Sequence, residues 1–138
     1  IAASTINRVI LKVYLMINFK NKKVFKLKRE DGYADTVASL IHDSERVMSA
    51  YKSLRDGVVF TNKRIITINV QGVTGSRKAY TSLPYQNIDA FSVETAGTLD
   101  IDSSLEVYIS SMDKIRFEFT GHSNMADISK VISDHIFG

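Results

Sequence analysis

The feature that most constrains this chain is a succession of short segments with a two-residue hydrophobic period, followed by one segment whose period is helical. Val47, Ser49 and Tyr51 alternate with Met48, Ala50 and Lys52 up to Arg55-Asp56-Gly57. Val58-Val59-Phe60-Thr61 comes next, then a polar Asn62-Lys63 break, after which Ile66, Ile68 and Val70 share one face and Thr67 and Asn69 the other. Alternation of this kind marks strands with one buried face, and the glycine-bearing or polar breaks mark the turns between them. Residues 79–83 read as a strand stopped by Pro84, which cannot donate to a central ladder. Residues 88–95 read as another, closed by Ala96-Gly97. Leu105, Val107 and Ile109 alternate with Glu106 and Tyr108, and Ile115, Phe117 and Phe119 with Lys114, Arg116 and Glu118.

Past Gly121 the period changes. Ser123 or Asn124 is placed to cap a helix, Asp127 suits the positive end of its dipole, and Met125, Ile128, Val131, Ile132 and Ile136 form one apolar face. A short helix is also predicted within residues 33–41, where Val37, Leu40 and Ile41 stand at helical spacing. The pattern predicts a mainly β chain, about seven short antiparallel strands and then one amphipathic helix. A sheet of that kind removes its sticky edges by curling into a barrel, and the helix can stopper an open end.

Composition narrows the function. The 138 residues are one domain's worth of chain, and 44% hydrophobic with 24% charged suits a soluble globular fold rather than a disordered polymer. The absence of cysteine excludes disulfides, thiolate zinc sites and thiol catalysis, and makes the cytoplasm the expected location. The net charge of +3 hides an asymmetry: residues 1–29 hold eight Lys or Arg and no acid, so the remainder is acidic. Within that leader Ile6, Val9, Ile10, Val13, Tyr14 and Ile17 form a helical stripe flanked by Arg8 and Lys12, the pattern of an interfacial segment. It is too short and too charged to span a bilayer, which needs about 20 apolar residues, and Arg8 and Lys12 interrupt what a signal peptide would require. The leader fits an anionic surface, a solvated arm, or an arm packed on the acidic body. Met16 also fits a natural start, which divides the chain into an upstream extension or leader, 1–15, and a domain, 16–138.

Catalysis is poorly provided for. His42, His122 and His135 show no metal-ligand spacing, and there is no nucleophile elbow, so neither an enzyme, a metal nor a cofactor is predicted. Asp100 and Asp102 would suit a divalent cation only with a third ligand that is not evident, and a loop carboxylate commonly bonds backbone N–H groups. Gly72-Val73-Thr74-Gly75-Ser76-Arg77-Lys78 has the composition of a phosphate cradle, but it lacks the P-loop spacing and links two strands. Its plain reading is a hairpin loop with glycines at positive φ. No groove-reading helix or stacking platform is visible, so nucleic acid is not an expected partner.

Asp56-Gly57-Val58-Val59-Phe60-Thr61-Asn62-Lys63-Arg64-Ile65-Ile66, Val70-Gln71-Gly72-Val73-Thr74-Gly75, Ser82-Leu83-Pro84-Tyr85 and Phe91-Ser92-Val93-Glu94-Thr95-Ala96-Gly97 follow one another in the order that resembles the bacterial pleckstrin-homology family, long catalogued as a domain of unknown function. The resemblance extends over about residues 16–138 and leaves 1–15 without a counterpart; Val73 and Ser76-Arg77 depart from the Ile or Leu and the Lys-rich stretch expected there. It implies a PH-like barrel of bent antiparallel strands capped by the C-terminal helix, a non-catalytic interaction module, and assembly with copies of itself into a cyclic ring, alongside an unidentified protein partner. Arg55, Asp56, Arg64, Tyr80, Tyr85 and Tyr108 are the candidate interface residues, with Phe91 read as core. Turn chemistry is the alternative role for Asp56 and Asn62, and pairing with Glu94 or another carboxylate that for Arg64. Eukaryotic PH domains hold inositol phosphates around their first hairpin. Here that hairpin offers Lys52 and Arg55 against Asp56, so Lys52, Arg77 and Lys78 are the anion-binding candidates. A peripheral binder of anionic membrane or of a phosphorylated ligand, through the basic leader and loop 72–78, is the alternative function.

Overall fold

Among the described residues, turn residues and alternating hydrophobics mark out eight strands, a C-terminal helix and two 3-10 segments. A computed structural model describes residues 23–97, 101–109 and 114–138. The strands are β1 Lys23–Arg29, β2 Val47–Lys52, β3 Gly57–Thr61, β4 Arg64–Gln71, β5 Arg77–Pro84, β6 Ala90–Thr95, β7 Ser103–Tyr108 and β8 Lys114–Phe119. Helix α1 is Met125–Phe137; a 3-10 helix, Asp31–Leu40, joins β1 to β2, and a short 3-10 turn, Tyr85–Asn87, joins β5 to β6. The leader residues 1–15, with the interfacial stripe, lie outside the described residues.

All eight strands belong to one sheet in the order β5-β4-β3-β2-β1-β8-β7-β6. It consists of two antiparallel meanders, β2 to β5 and β6 to β8, joined by β1. That strand pairs antiparallel with β2 (Lys28 opposite Lys52, Arg29 opposite Tyr51) and parallel with β8 (Val24 opposite Phe117, Leu27 opposite Phe119). Residues 23–29 show no strand period in the sequence, where they fall in the basic segment and, at 24–28, in the stretch that resembles the PH family; as β1 they raise the strand count from about seven to eight among the described residues. The period fails there because the register shifts between Val24 and Leu27, with Lys26 at φ 55°, as a bulge does.

The curl does not close into a hydrogen-bonded cylinder. β5 and β6 are the two ends of the strand order, because Pro84 and the Tyr85–Asn87 turn redirect the chain and β6 joins β7 instead. Helix α1 lies across this open corner, packed on the 3-10 turn and on β6.

Two apolar layers follow from the pleat. Inside the curl, Leu27, Tyr51, Phe60, Leu105, Phe117 and Phe119 meet Met125, Ile128 and Ile132 of the helix. The Tyr51 ring packs edge-on against Phe119 at 4.7 Å and Phe60 at 5.8 Å between centroids. Outside it, Ala50, Val59, Ile66 and Ile68 are covered by Val37 of the 3-10 helix. Every residue of β3 is therefore buried, which is why that segment reads as a continuous apolar run rather than an alternation. Gly57 belongs to the same contact: a Cβ there would lie 2.2 Å from the Tyr33 ring.

The helix is fastened as well as buried. Asn124 occupies its N-cap position but makes no side-chain cap bond. Its Oδ1 instead accepts the Ser49 hydroxyl at 2.8 Å and the Tyr51 hydroxyl, while the Asn124 N–H donates to the Tyr51 oxygen at 3.1 Å. Burial raises the Tyr51 pKa, which keeps the hydroxyl a neutral donor. Replacing Asn124 by Ala leaves both hydroxyls without this acceptor, and the cost expected is about 1–3 kcal/mol. Urea unfolding checks this: an unchanged midpoint would mean that the helix is held by its apolar face alone.

Candidate functional site

Two networks pair charged side chains with one another, one around Glu45 and Arg64 and one around Arg116. Arg64 opens β4 just after a turn in which the Thr61 hydroxyl accepts the N–H groups of Lys63 and Arg64, each at 3.0 Å. Its guanidinium donates from Nε and Nη2 to the two oxygens of Glu45, each at 2.9 Å, from Nη2 to the Leu40 carbonyl at 2.7 Å, and from Nη1 to Ser82 Oγ at 2.9 Å. Thr61 donates to Glu45 Oε2 at 2.6 Å, and the Glu45 side chain is 0% exposed. Burial alone would raise the Glu45 pKa, but the hydrogen bonds from Arg64, Thr61 and the His42 N–H outweigh it and hold the carboxyl at about 2. This network ties β4, β5, the loop before β2 and the end of the 3-10 helix together. Beside it lies a cleft of about 380 Å³ lined by His42, Lys63, Arg64, Gln86 and His135, among others. His135 Nδ1 is 2.8 Å from the Val131 carbonyl, and its ring lies 5.2 Å from Tyr85.

A second network runs across the outer face of β6, β7 and β8. Arg116 donates to Glu106 at 2.8 Å, to Glu118 at 3.0 Å and to Glu94 at 3.5 Å. The Tyr108 hydroxyl donates to Glu106 at 3.2 Å, and Lys114 Nζ lies 3.5 Å from the same carboxylate. Burial works against the ionised Glu106, but the bonds from Arg116 and Tyr108 lower its pKa overall. A groove of about 570 Å³ runs beside the network, lined in part by Lys26, Asp102 and Thr120. Among the described residues no group of three or more His, Asp or Glu could hold a metal ion. Asp102 accepts the Gly121 N–H at 2.6 Å, the local backbone role, while Asp100 lies outside the described residues.

The hairpin β2–β3 and the loop β4–β5 meet at one end of the sheet. Arg55 Nη2 donates to the Gly72 carbonyl at 2.7 Å, and the Val70 N–H donates to Asp56 Oδ1 at 2.9 Å. Gly72 and Gly75 adopt φ of 81° and 69°, as a tight loop requires. Leu54 and Val73 at the two tips are 95% and 103% exposed. The anion candidates Lys52, Arg77 and Lys78 share this end and are all exposed; Lys52 Nζ sits 5.9 Å from the centre of the Tyr33 ring.

The interface candidates are distributed differently from the sequence reading. Tyr85 is fully buried and its hydroxyl donates to the Thr61 carbonyl at 2.6 Å, so it offers nothing to a second molecule. Arg64 is absorbed by Glu45 rather than by Glu94, which meets Arg116 instead. Asp56 is half-buried in its turn, Tyr80 is half-buried against the outer apolar layer, and Arg55 and Tyr108 are exposed. Glu45 escaped notice because a carboxylate in a polar loop carries no signal of burial. What stays open is the edge of the sheet: among the described residues, β5 and β6 each have a strand neighbour on one side only.

Two curled antiparallel meanders with a C-terminal helix across their open corner define a PH-like fold. The chain belongs to the bacterial PH domain family, whose model matches residues 15–136. It is similar to a DUF1696 family protein with a pleckstrin-homology domain from Shewanella loihica PV-4 (TM-score 0.66, 37% identity, 82% of this chain and 99% of that one). A pleckstrin homology domain from Shewanella amazonensis SB2B is also similar (TM-score 0.54, 39% identity, 78% and 87%). Among curated relatives, the uncharacterized protein YjqA of Bacillus subtilis (strain 168) is 39% identical over 101 residues, 72% of this chain and 81% of its own length. No helix among the described residues is long and apolar enough to cross a membrane.

The buried pair predicts a pH dependence. Because the Glu45 carboxyl is held at about 2 in the folded chain against an ordinary 4.5, its contribution is complete above pH 4.5 and is lost as pH falls toward 2. Glu45→Gln is expected to cost on the order of 3 kcal/mol at neutral pH and to flatten the stability profile below pH 4.5. Chemical denaturation at a series of pH values reads both effects, and a variant with the parent's acid slope would exclude Glu45 as its source.

Proposed function

We propose that this chain is a non-catalytic PH-like interaction module of the cytoplasm that assembles with copies of itself into a closed ring. The observation that carries the reading is the pair of open edges, β5 and β6, at opposite ends of one strand order. An unpaired edge is a template for another strand, and proteins that keep one either blunt it or cover it. Two different edges on each copy suit a heterologous contact, head of one to tail of the next, and a rotation that closes leaves no edge exposed. Membership of the PH family and the mutual pairing of the buried titratable groups support a binding rather than a catalytic role. Multi-angle light scattering is expected to return a mass several times the 15.5 kDa of one chain. A monomer at micromolar concentration would reject the reading.

A second reading has its own observation. Leu54 and Val73 project from adjacent loop tips, bound together by Arg55 and Gly72, with Lys52, Arg77 and Lys78 at the same end. An apolar pair with cations around it suits an anionic bilayer surface. In this reading the chain floats with phosphatidylserine-containing vesicles and not with neutral ones, and Leu54→Asp with Val73→Asp abolishes the binding. Equal flotation with both lipids removes it.

A further inference from the structure

We infer that the cleft between the β3–β4 turn and the last turn of α1 binds phosphate or a small phosphomonoester, held by Lys63, His42, Gln86 and His135. The site lies within one copy of the chain, at the opposite end of β3 and β4 from the loop tips at Leu54 and Val73, and it needs no second copy. The polar atoms left unused around this cleft are nearly all donors. A guanidinium has five N–H groups, and four of those on Arg64 are committed to Glu45, to the Leu40 carbonyl and to Ser82, which leaves one on Nη1. Glu45 accepts from Arg64, from the Thr61 hydroxyl and from the His42 backbone N–H, and its side chain is fully buried. That carboxylate therefore cancels Arg64 and presents no free oxygen, so Lys63 is the surplus cation of the cleft. Its ammonium gives one N–H to Ser44 Oγ at 3.1 Å and keeps two. Among the described residues the Gln86 amide and the His42 ring have no hydrogen-bond partner.

His135 adds a donor that depends on its protonation. Its Nδ1 lies 2.8 Å from the Val131 carbonyl, which can only accept, so Nδ1 carries the proton and Nε2 of the neutral ring is a lone pair. Protonation turns Nε2 into a donor, and an anion bound beside it takes up that proton. The carbonyl end of α1 is by itself unfavourable to an anion, but it favours the imidazolium, which presents the opposite charge there. Lys63, Arg64, Glu45 and His42 share the cleft with His135, and Tyr85 packs against its ring. Asp43 and Asp134, exposed neighbours of the two histidines in sequence, do not line it.

The backbone that carries these donors is tied together without a ligand. The Lys63 N–H donates to Thr61 Oγ1 at 3.0 Å, and the Lys63 carbonyl accepts the Tyr85 N–H at 3.3 Å, which fixes Lys63 against the turn that bears Gln86. Buried Tyr85 in turn donates to the Thr61 carbonyl at 2.6 Å and holds the His135 ring at 5.2 Å. The Glu45 N–H donates to the His42 carbonyl at 2.9 Å. A site arranged in advance spends less of its binding energy on ordering. Donors from four separate elements suit the three terminal oxygens of a tetrahedral dianion, whereas the two oxygens of a carboxylate would leave some of them unmet. At about 380 Å³ the cleft is at the small end of ligand sites, room for a phosphate with a short organic group.

The three histidines of the full chain, labelled at ring Cε1 and followed by NMR, give the readout. Inorganic phosphate at low salt is expected to shift the His42 and His135 resonances together and saturably, and to leave His122, which lies outside the cleft, in place. Lys63→Ala, at an exposed position, is expected to raise the Kd at least about tenfold, and Arg77→Ala with Lys78→Ala to change it less than about twofold. With sulfate, a dianion throughout, the Kd should fall several-fold from about pH 8 to about pH 6, and His135→Gln should remove most of that dependence. Competition against phosphate separates the sources: glycerol 3-phosphate competing alone assigns a soluble ligand, and phosphatidic acid vesicles competing more tightly assign a lipid headgroup. Equal shifts of all three histidines, a Lys63→Ala chain that binds as the parent does, or no competition from either phosphomonoester overturns the site. A monomeric parent that still binds phosphate in the cleft leaves the site standing and overturns only the assembly.

Discussion

The fold depends on the hydrogen bonding of one strand. Each meander buries its inner face against the other and against the helix, yet no ladder joins the two meanders directly; β1 supplies the seam, antiparallel to β2 and parallel to β8. With that seam in place the inner faces oppose each other, the aromatic rings of Tyr51, Phe60, Phe117 and Phe119 interlock, and the helix has a mouth of fixed shape to cover. Leu27, fully buried at the bulge, anchors the strand in the core even though lysines flank it. Its neighbours Lys26 and Lys28 stay in water, which lets a strongly basic segment serve at the centre of a sheet.

The distribution of charge follows from the same geometry. Glu45 and Arg64 lie where the 3-10 helix, β4 and β5 converge, and Arg116 bridges three strands on the outer face. A buried ion pair of this kind contributes little over an apolar replacement, but it is costly to break, so it holds elements in a particular relation more than it adds net stability. Within these two networks the carboxylates of Glu45 and Glu106 each accept from a guanidinium and from a hydroxyl. Outside these networks, the described surface includes two open strand edges, β5 and β6, and the exposed loop tips at Leu54 and Val73.

Much of this was legible in the residues. β5 and β8 alternate because one face meets the core and the other does not, and α1 repeats Met125, Ile128 and Ile132 for the same reason, whereas β4 is buried on both faces over its middle. β1 could not be read from its period, since its bulge breaks the alternation and its apolar residues are outnumbered by cations. The open corner could not be read either, because hydrogen-bond closure depends on where the Tyr85–Asn87 turn aims the chain and leaves no hydrophobic pattern. Asn124 illustrates a subtler limit: its position is that of a cap, but two hydroxyls of β2 compete for its oxygen and win. Likewise Arg64 announced a carboxylate partner, while the identity of that partner was a matter of tertiary approach.

The parallel ladder between β1 and β8 has a consequence for how the molecule reaches this state. Lys23 pairs with Arg116, so a strand near one end of the domain must wait for a strand near the other. Closing so long a loop is entropically slow, and chains dominated by distant contacts fold over milliseconds to seconds. During synthesis the β2 to β5 meander can form while its inner aromatic face still lacks a cover, and β1 has only β2 to lean on. The interval before β8 emerges from the ribosome is when this chain exposes the most adhesive surface it will ever present.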